Sequence, residues 1–107
     1  AAAAMIEQYR ADFGVIGISG IDEDGTLLDF DADEINAAQA ILRNARTVFL
    51  LADHTKFHRR PMARVGHIAQ VSAFYTDQPP PAGIRTILQE NNVRLHVVSS
   101  DGTGQTG

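Results

Sequence analysis

The 107-residue sequence contains no cysteine, which excludes disulfides and thiolate metal centres and fits a reducing cytoplasm. No apolar run approaches the ~18 residues of a membrane-spanning helix, and no signal peptide is visible. Lysine is nearly missing as well: Lys56 is the only one, and the other cations are arginines. A net charge of −4 argues against this stretch gripping a nucleic-acid backbone by itself, because that requires a cationic surface. Acids are scarce after Lys56, where Asp77, Glu90 and Asp101 stand singly. What remains is an ordinary soluble, globular composition, 44% apolar and 21% charged, with the length of one domain.

The charge that is present is unevenly placed. Seven of the thirteen carboxylates fall between Asp22 and Glu34, and six of the nine cations between Arg43 and Arg64. Such segregation suits a small anionic ligand better than a DNA duplex. The acidic cluster follows the run Phe13-Gly14-Val15-Ile16-Gly17-Ile18, whose unbroken apolar character is that of a strand buried on both faces. Gly20 breaks the run, and Asp22-Glu23-Asp24-Gly25 reads as a turn. Asp31 and Glu34 then form a capping-box-like helix start. Ile35, Ala38, Ile41, Leu42 and Ala45 lie on one face of that helix.

Thr47 to Ala52 reads as a second buried strand. Asp53 to His67, polar and broken by Pro61, reads as a loop with a short helical turn. Ala73 to Thr76 makes a third strand, ended by Asp77 and three prolines. Pro81 can open a second helix, with Ile84, Ile87 and Leu88 facing inward. Val93, Leu95 and Val97 alternate as a fourth strand. Residues 1–10 read as a helix end and 99–107 as a disordered tail. Strands alternating with helices imply an α/β fold with a parallel sheet and right-handed crossovers.

In open α/β sheets ligands bind outside the carboxyl ends of the strands, which directs attention to Asp22, Asp53 and Lys56. Lys56 can meet a phosphate as a point charge, helped by the Thr55 hydroxyl, or can be a solvated loop lysine. Asp53 either orients Lys56 or caps the following turn. Asp22 is a candidate for ligand hydroxyls, whereas Asp24, beside Gly25, fits the turn. Glu34 is either a proton-handling carboxylate at a helix N-terminus or the reciprocal half of the cap. His54 and His58 have helical metal-ligand spacing but no obvious third ligand. Arg59, Arg60 and Arg64 form an anion patch or a solvated face.

Asp22-Glu23-Asp24-Gly25-Thr26-Leu27-Leu28-Asp29 resembles the nucleophile signature of haloacid-dehalogenase-type phosphatases. That chemistry also needs Mg²⁺ held by a later acidic pair, which the sparse acids after Lys56 do not supply. Ser19-Gly20 also separates the aspartate from its strand, so the match is read as coincidental.

A second resemblance is broader. GISGIDEDGTLLDFD, Glu34 opening a helix, LADHTKF and YTDQPPP together resemble the C-terminal sensor domain of DeoR-family transcriptional repressors, over about residues 5 to 98. The likeness is nearest the branch that represses the glycerol-3-phosphate regulon. The family's usual Asp-x-Ser-Lys-Phe carries Thr55 here, which keeps the hydroxyl. The resemblance implies a Rossmann-like parallel sheet flanked by helices, similar to ribose-5-phosphate isomerase, glucosamine-6-phosphate deaminase and CoA transferases. It implies binding of a phosphorylated sugar or polyol without turnover, glycerol-3-phosphate being the first choice. Gly20, Asp22, Glu34, Asp53 and Lys56 would form the ligand site, with no cofactor and no metal. It further implies a homo-oligomer that meets DNA through an N-terminal helix-turn-helix lying outside this sequence, with the first sensor strands also outside it. An exposed apolar sheet edge or face is then expected. A sugar-phosphate isomerase or deaminase fragment, with Glu34 as base, is the alternative.

Overall fold

The computed structural model describes residues 11–57, 59, 63–98 and 104–106. The expected helix end at residues 1–10 lies outside them. Eight strands and two helices follow in the order β1 (Ala11–Gly17), β2 (Gly20–Ile21), β3 (Thr26–Asp29), α1 (Ala32–Asn44), β4 (Ala45–Leu51), β5 (Ala63–His67), β6 (Ala73–Thr76), α2 (Ala82–Glu90), β7 (Arg94–Val98) and β8 (Gly104–Thr106). The main sheet has the order β1-β4-β6-β7-β8, and β2-β3-β5 form a second, smaller sheet. The four strands expected from the sequence, β1, β4, β6 and β7, pair in parallel throughout. Within the stretch 99–107, expected as a disordered tail, β8 pairs antiparallel with the end of β7.

The turn expected at Asp22 to Gly25 is present, but it is flanked by strands, and part of the loop expected from Asp53 to His67 is a strand as well. Gly20 to Asp29 is a β-hairpin, its turn closed by Gly25 N–H donating to the Asp22 carbonyl at 2.9 Å. Gly25 has φ +89°, the left-handed region that glycine enters without strain. Residues 63–67 add to this hairpin as β5, antiparallel to β3. Neither segment has a long apolar run; pairing to β3, rather than local pattern, makes β5 a strand. The short helical turn expected in the same region is present as a 3₁₀ turn at His54–Lys56.

Asp31 caps α1, its carboxylate accepting from the backbone N–H of Asp33 at 2.8 Å and of Glu34 at 3.3 Å. Removing such a cap typically costs about 1 kcal/mol. Strand alternation sends Ile16, Val48, Leu50, Phe74 and Leu95 to one face of the main sheet, where they form a single core with Ala38 of α1, Ile84 and Leu88 of α2, and Leu27 and Val65 of the small sheet. Gly14 permits the closest approach, because a Cβ there would lie 2.3 Å from Ile41 Cγ2 of α1.

The opposite face carries neither helix. There Phe13 stacks on Phe49 at 6.0 Å between ring centroids, Phe49 meets Tyr75 edge-on at 5.9 Å, and Tyr75 stacks on His96 at 4.5 Å. This stripe crosses β1, β4, β6 and β7. Among the described residues no helix is long and apolar enough to cross a membrane.

Candidate functional site

The carboxyl ends of the parallel strands deliver the polar groups. After β4 the chain leaves the sheet at Asp53, which caps the 3₁₀ turn: its carboxylate accepts from Thr55 N–H at 2.8 Å and from the Thr55 hydroxyl. Those bonds, assisted by Lys56, hold Asp53 below the usual carboxylate pKa. The Lys56 ammonium lies 3.8 Å from the other Asp53 oxygen, and its side chain is only 26% exposed. Asp53 therefore caps the turn and also lies within ion-pair distance of the cation.

The turn is tied down twice more. Asp77, just past β6, accepts from His54 N–H at 2.7 Å and faces His54 Nδ1 at 2.7 Å with its second oxygen. These bonds with His54 lower the Asp77 pKa as well. Phe57 closes the turn, buried with its ring edge-on to Phe74 at 6.0 Å. His54 thus pairs with a carboxylate, and His58 lies outside the described residues. Arg60 lies outside them too, while Arg59 and Arg64 are exposed.

The other sequence candidates are distributed around this edge. Gly20 belongs to β2, where it pairs with Leu28. Asp22 begins the hairpin turn and accepts from Glu23 N–H at 2.8 Å. It lines a cavity of about 290 Å³ with Ile21, Glu23, Phe57 and the α2 start at Pro81, Gly83 and Ile84. Lys56 is not among the residues lining this cavity. Glu34 lines a smaller cleft of about 80 Å³ between α1 and β1, with Val15, Gly17 and Ile41. A third cavity, about 260 Å³, opens between Asp53 and Asp77 over Ala52, Tyr75 and Thr76. The edge therefore brings Asp53, Lys56, His54 and Asp77 together, while Asp22 and Glu34 each line a separate cavity.

Asp24 uses its carboxylate within the turn, accepting from Thr26 N–H at 2.9 Å, and the bonding to Thr26 depresses its pKa. Asp29, buried at the end of β3, accepts from the Ser19 hydroxyl at 3.0 Å and from Phe30 N–H at 2.7 Å. The first two aspartates of the phosphatase-like signature, Asp22 and Asp24, thus both accept from backbone N–H groups of their own turn. Among the described residues no cluster of three metal-ligating side chains forms.

Sequence reading missed Asp77 as a site residue, although the rule that singled out Asp53 applies equally to the acid ending β6. It also missed Thr76, whose buried hydroxyl has no hydrogen-bond partner among the described residues.

Comparison with known proteins agrees with this architecture. The family model described as "DeoR C terminal sensor domain" matches residues 1–78. The chain is 46% identical over 93 residues to the glycerol-3-phosphate regulon repressor of Escherichia coli K12, covering 87% of this chain and 37% of that protein. It is 36% identical over 100 residues to the HTH-type transcriptional repressor CsqR of the same organism, covering 94% and 38%. It is 42% identical over 91 residues to the glycerol-3-phosphate regulon repressor of Haemophilus influenzae, covering 85% and 35%. The chain thus spans little more than a third of the length of these relatives. With four parallel strands, a polar carboxyl edge and the family match over most of its length, the chain belongs to the DeoR C-terminal sensor domain family.

Proposed function

We propose that this domain senses a phosphorylated polyol or sugar and passes its occupancy to a DNA-binding segment elsewhere in the same protein. Glycerol-3-phosphate is the first choice of effector, in keeping with the names of two of the relatives. One observation carries the reading: the only lysine of the chain is held, three-quarters covered, at the carboxyl edge of the sheet by a carboxylate that also shapes its turn. An ammonium fixed this way is a preorganised point charge for a phosphate. Asp22, which lines the cavity beside Phe57, is our candidate acceptor for ligand hydroxyls.

Binding without turnover, as in a catalytically silent relative of sugar-phosphate isomerases, is the reading we adopt. Glu34, the base an isomerase would need, lines a different cleft from the one beside Phe57. An effector can shift the repressor only by its difference in affinity for the two states. We further assign the protein to the cytoplasm, where phosphorylated sugars and operators coexist, with DNA contacted through a helix-turn-helix and no membrane involved. The uncovered aromatic face and the β1 edge support association with a second copy of the chain.

The test is titration of the full-length gene product with glycerol-3-phosphate. Lys56→Ala should weaken binding by roughly ten- to a hundredfold, the loss of a hydrogen bond to a charged group at ~1.5–3 kcal/mol. Thermal stability should barely move, since a partly exposed ion pair contributes little. Unchanged affinity in Lys56→Ala would remove Lys56 from the site and the reading with it.

A further inference from the structure

Asp53, Asp77 and Phe57 hold the Lys56 turn, and of the two carboxylates only Asp77 comes from elsewhere in the sheet, just past β6. Asp53 belongs to the turn itself, bonding to Thr55 and facing Lys56. Asp77 reaches across from the end of β6 with both carboxylate oxygens, one to His54 N–H and one to His54 Nδ1, each at 2.7 Å. Two bonds from one carboxylate to the backbone and ring of one residue fix position as well as orientation. His54 in turn begins the single helical turn that ends at Lys56, with Lys56 N–H bonded to the Asp53 carbonyl at 3.2 Å and Phe57 N–H to the His54 carbonyl at 3.4 Å. A turn this short has almost no internal rigidity. Its register on the sheet therefore depends on the two cross-links at its ends, Asp77–His54 at the start and Phe57–Phe74 at the finish.

We propose that Asp77, acting through His54, is a positioning residue that holds the Lys56 ammonium at the sheet edge for the effector's phosphate. The inference rests on the reading of Lys56 as phosphate partner, and it adds a residue that touches no ligand. Without the Asp77 bracket the turn can pivot about Phe57, and a displaced point charge loses preorganisation before the fold loses stability.

The geometry also specifies how a conservative variant behaves. In Asp77→Asn the amide oxygen can still accept from His54 N–H while its NH₂ donates to a neutral Nδ1.

The experiment uses the full-length protein, titrated with glycerol-3-phosphate as probe and glycerol as the phosphate-free control, with hydrogen exchange followed across residues 53–57. Asp77→Ala should lower glycerol-3-phosphate affinity about tenfold and speed exchange at 54–57 while β1 and β4 stay protected. Lys56→Ala combined with Asp77→Ala should bind no worse than Lys56→Ala alone, because both changes remove the same interaction. Asp77→Asn, which keeps an acceptor for His54 N–H and a second polar atom facing Nδ1, should bind more tightly than Asp77→Ala. If Asp77→Ala fails to fold, His54→Ala, which removes only the ring bond, decides by the same affinity and exchange readouts. A Lys56→Ala loss with Asp77→Ala unaffected, an additive double variant, or Asp77→Asn binding no better than Asp77→Ala overturns the positioning role alone. Wild type and Lys56→Ala binding glycerol-3-phosphate alike overturns the effector reading beneath it.

Discussion

On the helix-bearing face of the main sheet Ile16, Leu50 and Phe74 are almost fully buried, whereas on the opposite face Phe13, Val15, Leu51 and Val98 are 67, 58, 49 and 45% exposed. On β1 and β4 the two sets are one residue apart, Val15 beside Ile16 and Leu51 beside Leu50. A strand with one solvated face reads as alternating apolar and polar residues, but β1 and β4 are apolar on both sides, the pattern of strands covered twice. The uncovered face thus has the composition of an interior, and its aromatic stripe continues across four strands. Four of the five large apolar side chains most exposed among the described residues lie there, a concentration rather than scattered exposure. The difference teaches that exposure on this sheet is set by which elements are present to cover it, not by the residues themselves.

The largest expected effects compare the two faces directly. Phe74→Ala should cost about 3–5 kcal/mol in urea unfolding, the usual range for a fully buried phenylalanine. Phe13→Ala, which loses one stacking partner on the open face, should cost about 1 kcal/mol or less. The same change should lower self-association in sedimentation velocity. Equal costs for the two would show that the open face is packed as tightly as the core.

The two glycines of β1 sharpen the comparison on a smaller scale. Gly14→Ala points a methyl at Ile41 and Ala45, 2.3 and 3.1 Å away, and should cost about 1–3 kcal/mol by overpacking. Gly17→Ala meets only the Leu51 carbonyl at 3.9 Å and should stay within about 0.5 kcal/mol of wild type. Thermal midpoints of the two variants check this.

The smallest effect belongs to the polar edge. Asp24, Asp53 and Asp77 all have lowered pKa values in the folded chain, from bonds to Thr26, Thr55 and His54 respectively. Their stabilisation is complete above the unfolded aspartate value of about 3.9 and is lost as pH falls through the folded values, because the unfolded chain takes up protons first. The denaturation midpoint should therefore be insensitive to these groups from about pH 6 to 8 and should decline modestly below about pH 4, all three carboxylates being well exposed. Asp77→Asn should decline less steeply over that acid range. A steep loss at pH 6 would place a different group in control.

Local pattern by itself determined the parallel α/β framework. The apolar runs Phe13 to Ile18 and Thr47 to Ala52, the spacing of Ile35, Ala38 and Ile41, and the Asp31 cap each carry their signal within a few residues, and each forms the element it predicts. The carboxyl-edge rule likewise singled out Asp53 and Lys56. Only the tertiary structure decided the rest. β5 is a strand because β3 supplies its hydrogen bonds, and nothing within Ala-Arg-Val-Gly-His announces that. Asp77 acquires its partner 23 residues away, when β6 lies down beside β4 and brings its end next to His54. The open face was decided in the same way: alternation fixes which side chains point there, and among the described residues both helices pack on the other side. Pattern within one element is local and survives in the sequence; pairing, capping across strands and coverage of a face depend on where separate elements meet.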